Sequence, residues 1–265
     1  MAANYGTSLK TWRSTRRLSQ LELATAADVS QRHVSFLETG RSKPSREMVV
    51  HLAIALDVPL RERNTMLVAA GYSPEYPETP LNEAALDQIR GILETVLKSH
   101  EPFPAIVVDR GWDVVLANQA AIRFTASMID PNSELVTAGM NAIKVILHPD
   151  GVRRFIVNWS QVATEALRRL DREIAARPTD HLLLALRNEV LAYPGVAALR
   201  HTPPQPAATD LLVHFHYRIG DAELKLFSTI AIIGEAHDIT LEELRLESFF
   251  AADAETERLL RSSVV

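Results

Sequence analysis

The chain has 265 residues, 47% hydrophobic and 23% charged, a composition that suits a soluble protein of one to three domains with a buried core. It contains no cysteine, which excludes disulfides and thiolate metal sites and leaves the cytoplasm as the expected compartment. The net charge of -5 hides an asymmetry, because residues 1–71 carry ten Lys and Arg against six Asp and Glu (net +4), while the remainder carry eighteen against twenty-seven (net -9); a basic head on an acidic body fits a phosphate-seeking module joined to a domain that does not seek nucleic acid.

The first stretch, MAANYGTSLKTWRSTRR, lacks an apolar signal core, and runs such as IAIIG after Thr229 are too short to cross a bilayer, so no membrane association is expected. A first helix is predicted from about Ser8 to Arg17, with Leu9 and Trp12 inward. Ser19 then starts a second helix through a capping box with Glu22. Leu21, Leu23, Ala24 and Ala27 give that helix an apolar face with small residues where another helix must cross closely. Asp28-Val29-Ser30 turns the chain, with Val29 plugged into the core. Ser30 caps a third helix, in which Val34 and Leu37 face inward while Gln31, Arg32, Ser35 and Phe36 face out. Gly40 ends it. Ser45 caps a fourth helix through Val49, Leu52, Ala53 and Leu56, and a fifth runs from about Leu60 to Ala70, before Gly71.

Residues 18–44, LSQLELATAADVSQRHVSFLETGRSKP, resemble the helix-turn-helix of the phage-repressor-like XRE family. Ser19-Gln20, Val29, Glu38-Thr39-Gly40 and the basic Arg41 and Lys43 carry the resemblance, as does Arg13, whose counterpart in relatives pairs with the glutamate at the position of Glu38. Such a module offers one helix to the major groove of double-stranded DNA. Gln31 and Arg32, in the first turn, have the chemistry to read adenine and guanine, and Phe36 can offer only apolar contact or pack locally. Gln20, Ser30, Arg41 and Lys43 fit phosphate contacts that set register; Ser35 shares the outer face. A solvated polar face is the competing reading of any isolated helix pair, and the concatenation of cap, turn, glycine and basic loop favours DNA.

Residues 72–83, with Pro74, Pro77 and Pro80, read as a semi-rigid linker. The second domain, 84–265, opens with an amphipathic helix through Leu86, Ile89, Leu93, Val96 and Leu97. Two β-rich runs, 105–109 and 112–118, flank the turn at Arg110-Gly111. A short helix from Asn118 to about Phe124, a segment after Asn141, a long helix from Asp150 through Phe155, Trp159, Val162, Ala166, Leu170 and Ile174, and another over 180–192 follow. Strand-like runs cover 211–219, 223–233 and 244–251, and the tail from Asp253 reads as helix. The expected fold is thus an all-α head of five helices and an α+β, PAS-like body with an antiparallel sheet.

PFPAIVVDRGWDVVLAN, NAIKVILHPDGVRRFIVNW and VATEALRRL look like the ligand-binding domain of the MmyB-like transcription regulators, which in that family follows an XRE head. The resemblance implies a PAS-like domain and a small apolar ligand such as a long-chain fatty acid. Trp112, Phe124, Phe155 and Trp159 fit either a core or a cavity wall. His214 and His216 alternate along one strand, a spacing a metal can use, but no carboxylate-rich run stands by to complete a site, and solvent or a pocket wall suits them as well. Arg153, Arg154 and Arg187 are candidate partners for a ligand carboxylate. No G-x-S-x-G, P-loop, dinucleotide fingerprint or HExxH occurs, so neither catalysis nor a resident cofactor is expected. The reading is a homodimeric, one-component transcription factor. The alternatives are a body that only dimerises or docks a partner protein, and a DNA-binding head fused to an enzyme.

Overall fold

The computed structural model describes residues 4–177, 180–200 and 214–262. In chain order the elements are α1 (Tyr5–Thr15), α2 (Gln20–Ala26), α3 (Gln31–Glu38), α4 (Arg46–Ala55) and α5 (Leu60–Ala69). Then come α6 (Asp87–Ser99), β1 (Ala105–Val108), β2 (Val114–Ala117), α7 (Gln119–Ala126), α8 (Glu134–Thr137), α9 (Ala142–Leu147) and α10 (Trp159–Ala176). The rest are α11 (His181–Leu191), α12 (Val196–Leu199), β3 (Phe215–Ile219), β4 (Ala222–Ile232), α13 (Ile239–Glu243), β5 (Arg245–Ala251) and α14 (Ala254–Arg261). Two compact units result, Met1–Glu83 with Ile233–Glu242, and Ala84–Ile232 with Glu243–Val265.

In the first unit each of the leading four helices begins at a side chain that accepts a backbone amide, from Asn4, Ser19, Ser30 and Ser45 respectively, so the donors that open a helix are not orphaned. Ser19 and Glu22 form both halves of a capping box. Pro59, preceding α5, has no such side chain; there the Leu60 amide donates to the Glu242 carboxylate at 2.8 Å. The apolar faces of the five helices meet around Leu9, Trp12, Leu23, Val34, Leu37, Leu52 and Leu67. Gly6 lets α1 come close, because a Cβ there would lie 2.5 Å from the carbonyl oxygen of Leu37.

Three sequence expectations need correction here. Leu21 is 58% exposed and belongs to the outer side of α2. The segment 72–83, read from sequence as a semi-rigid linker between domains, packs within the first unit: the Tyr72 hydroxyl donates to the Pro44 carbonyl, and the Asn64 amide group bonds to the backbone of Glu75 and Tyr76. Residues 233–242, placed by sequence in the body, join the first unit, where the Thr79 amide donates to Asp238 and the Ile239 amide to the Pro77 carbonyl.

The second unit is an α+β domain with a five-stranded sheet in the order β2-β1-β5-β4-β3, every neighbour antiparallel. The chain returns β5 to the middle of the sheet, beside β1 and β4, with Glu247 paired against Ile106 on one side and Ile230 on the other. In the β1–β2 connection the left-handed residue is not Gly111 but Trp112, at φ +66°, a conformation that costs a bulky residue of order 1–3 kcal/mol and persists only where surroundings enforce it. They do: Trp112 is buried, its indole Nε1–H donates to Glu173, and Arg245 and Arg169 lie over its ring. The long helix predicted from Asp150 starts later, at Trp159; residues 152–155 form a single 3₁₀ turn that contains Phe155. Of the run 211–219, residues 215–219 form β3 and 211–213 lie outside the described residues.

Candidate functional site

In the first unit, α3 exposes its first turn. Gln31 and Arg32 are exposed, and Val34 and Leu37, three and six residues on from Gln31, are buried. This is the separation of faces that a 3.6-residue repeat provides. Phe36 is half-buried and lies between two cations, with the Arg32 guanidinium 5.1 Å and that of Arg41 6.0 Å from its ring centroid. The aromatic ring thus sits between Arg32 on α3 and Arg41 in the basic loop. Arg41 and Lys43 are exposed, and the Ser30 hydroxyl is engaged as the cap of α3.

The orientation of α3 is fixed from behind by Glu38. Its side chain is 3% exposed and that of Arg13 12%. Arg13 donates twice to it, Nε at 2.6 Å and Nη2 at 3.0 Å, and uses Nη1 on the Leu18 carbonyl. Gln20 adds a third bond to Glu38 at 2.8 Å. Burial alone would raise the Glu38 carboxyl, yet these bonds and the attraction of Arg13 outweigh it and hold the group below its ordinary value. Gln20, expected to contact phosphate, is therefore committed to this internal tie.

Among the described residues of the second unit, one cavity of about 90 Å³ and another of about 360 Å³ lie next to each other. They share Ala142, Ile146, Phe215 and Glu247 among their lining residues. The smaller one is walled by Phe124, Met128, Met140, Val145 and Phe249. The larger one meets Trp112, Ser228, Glu165 and Arg169. Among the aromatic residues singled out by sequence, Trp112 and Phe124 line these cavities. Phe155 and Trp159 pack beside the core instead, Trp159 bonded to the Ile146 carbonyl and covered by Arg153 at 3.6 Å. His214 and His216 lie elsewhere, in an open cleft with Lys225 and Asp253, and His216 pairs with Glu223. The three candidate arginines are engaged elsewhere too: Arg153 on the Pro194 carbonyl, Arg154 on that of Met128, Arg187 beside Asp171.

What sequence reasoning missed is Glu247. It is 5% exposed and lines both cavities. The Ser228 hydroxyl donates to its Oε1 at 2.6 Å, and Arg169 Nη1 stands 3.9 Å from the same atom. Burial dominates and pushes this carboxyl above its ordinary value, against the opposing effects of Ser228 and Arg169. The available signal was a glutamate in the middle of a strand-like run, LRLESFFA.

A family model described as the MmyB-like transcription regulator ligand binding domain matches residues 89–262. The chain belongs to this family. A helix-turn-helix model matches residues 9–63, so this MmyB-like regulator joins a DNA-binding head to a ligand-binding body. No curated protein matches the chain. Among solved structures, "Structure of an RNA-binding Light-Oxygen-Voltage Receptor" is similar at 14% identity and a TM-score of 0.29, over 96% of this chain. The alignment spans 62% of that receptor's chain, and at this score neither fold nor function carries over. No helix among the described residues is long and apolar enough to cross a membrane.

Proposed function

We propose that α3 reads a DNA operator and that a small, largely apolar molecule in the cavities of the second unit controls it, in the cytoplasm and by binding rather than catalysis. Residues 1–71 do the reading and 84–265 the sensing, with 72–83 and 233–242 bracing the reader. The observation that carries the sensing half is the pair of cavities that share Ile146, Phe215 and Glu247; a body that only docked a partner would need no internal space. A long-chain fatty acid is one molecule of suitable apolar character. The strands carrying Ser228 and Glu247, β4 and β5, are joined by the segment 233–242, whose Glu242 caps α5 in the first unit. That connection gives cavity occupancy a covalent route to the head. One such helix covers few bases, so the regulator works as a homodimer on half-sites about one helical turn, roughly 34 Å, apart.

Selection of preferred duplexes from a random pool, followed by binding assays, tests the reading half. Arg32→Ala should cost about 1–3 kcal/mol on the preferred site and relax specificity, whereas Lys43→Ala should weaken all duplexes alike and flatten the salt dependence. If both variants keep the wild-type sequence preference and salt slope, α3 is not the reader. Mass spectrometry of molecules released on denaturing the purified chain tests the sensing half.

A further inference from the structure

The core of the second unit divides at the same place as its internal space. One cluster of buried side chains gathers around Trp112, Ile143 and Leu170, another around Phe124, Val152 and Tyr217, and Ile146 packs against both. Ile146, near the end of α9, and Phe215, the first residue of β3, also line both cavities. The two spaces differ in kind. Besides the shared Glu247, the larger one meets Ser228, Glu165 and Arg169, whereas the smaller one is walled mainly by side chains such as Phe124, Met128, Met140 and Val145. At about 90 Å³ the smaller space falls below the roughly 300 Å³ at which pockets for whole ligands begin, while the larger, at about 360 Å³, reaches it. By itself the smaller space has room for the end of a chain.

We infer that the two cavities are lobes of one pocket for a single-chain amphiphile. Its polar end lies in the larger lobe, its tail passes between Ile146 and Phe215 into the smaller, and the smaller lobe sets the chain length that is accepted. The inference rests on the sensing reading above and adds a direction and a length to it. In the larger lobe Arg169 and Ser228 supply donors and Glu165 and Glu247 acceptors, so a carboxylic acid head finds partners there. In the smaller lobe a polar end would give up water for few partners, while a methylene gives up nothing. Met128 and Met140 in its wall are the side chains that adapt best to an irregular tail. A boundary at Ile146 and at the half-buried Phe215 opens by rotamer change, without movement of the sheet.

Straight-chain fatty acids from hexanoate to hexadecanoate, titrated calorimetrically onto the full chain below their micellar concentrations, test this. Each methylene that leaves water for an apolar lobe should tighten binding about fourfold, and the gain should stop at one chain length, where the smaller lobe is full. Ala121 and Val145 line the smaller cavity and not the larger. Ala121→Leu extends a side chain into that space and should bring the break to acids about three methylenes shorter, leaving the shortest acids that bind unaffected. Val145→Ala should move the break to longer acids. Far-UV circular dichroism checks that both variants are folded. A break that stays in place in the folded variants, or a loss spread equally over all chain lengths in folded Ala121→Leu, would overturn the two-lobe assignment and leave the larger cavity as a binding site. If no acid binds wild type, the sensing reading fails in its fatty-acid form and takes this inference with it.

Discussion

Glu38 and Glu247 are both carboxylates buried in packed units, and their surroundings drive them in opposite directions. Glu38 accepts two bonds from Arg13 and one from Gln20, and is held below the ordinary carboxylate range. Glu247 accepts one bond from a serine hydroxyl, faces cavity, and is held above it. A carboxylate whose acceptors are filled by its own chain serves geometry: here it sets the angle at which α3 leaves the bundle. One that accepts a single bond from its own chain and lines a cavity has capacity for something else.

The comparison can be broken first by mutation. Glu38→Ala strands Arg13 in a site where its side chain is 12% exposed, and loss of one member of a buried pair costs about 3–5 kcal/mol. Chemical denaturation followed on Trp12 fluorescence in a Trp112→Phe, Trp159→Phe background should register it, and a loss below about 1 kcal/mol, the level of an exposed ion pair, would show that the tie does not hold the bundle. Glu247→Gln should do the reverse at neutral pH, leaving the second unit as stable or more stable by about 1 kcal/mol, since an amide in that wall has no charge to desolvate.

Titration sharpens the same contrast with smaller effects. Glu38, lowered by folding, contributes stability that is complete above the ordinary carboxylate range and lost as pH falls through its folded value. Glu247, raised by folding, contributes the opposite: stability complete below the ordinary range and lost as pH rises towards its folded value. The groups that face Glu247 are Arg169, Ser228 and Tyr217, whose hydroxyl is itself driven up by burial and by Glu247. Urea denaturation of wild type and Glu247→Gln between pH 4 and 8 should therefore give curves that converge at the acid end. Parallel curves would mean that Glu247 does not titrate differently in the folded chain.

The readable part of this molecule was the local part. Ser19 and Glu22, Val29 and Ser30 all lie within the first thirty residues, where spacing along the chain fixes spacing in space, whereas the Arg13–Glu38 tie, between residues 25 apart, was legible only through the resemblance to the helix-turn-helix family. The order of strands and helices in the body was legible for the same reason, since alternation and helical repeat are local signals. Cavity walls are not local. Alternation says that Glu247 and Phe249 share a strand face, but whether that face meets solvent, core or empty volume depends on β1, α7, α9 and α10 arriving from elsewhere. His214 and His216 show the converse, with a metal-like spacing on a strand that turns them towards an open cleft. Trp112 in place of Gly111 at positive φ was hidden because its enforcing partners, Glu173, Arg169 and Arg245, are tens of residues distant. The recruitment of 233–242 into the first unit was hidden likewise, with Glu242 reaching an amide at Leu60.

The most direct measurement is a ¹³C NMR titration of glutamate side-chain carboxyls in the full chain, assigned with Glu38→Gln and Glu247→Gln. We expect the Glu247 carboxyl to titrate above the ordinary range and the Glu38 carboxyl to titrate below it. A Glu247 signal that titrates like a solvent-exposed glutamate would contradict the account.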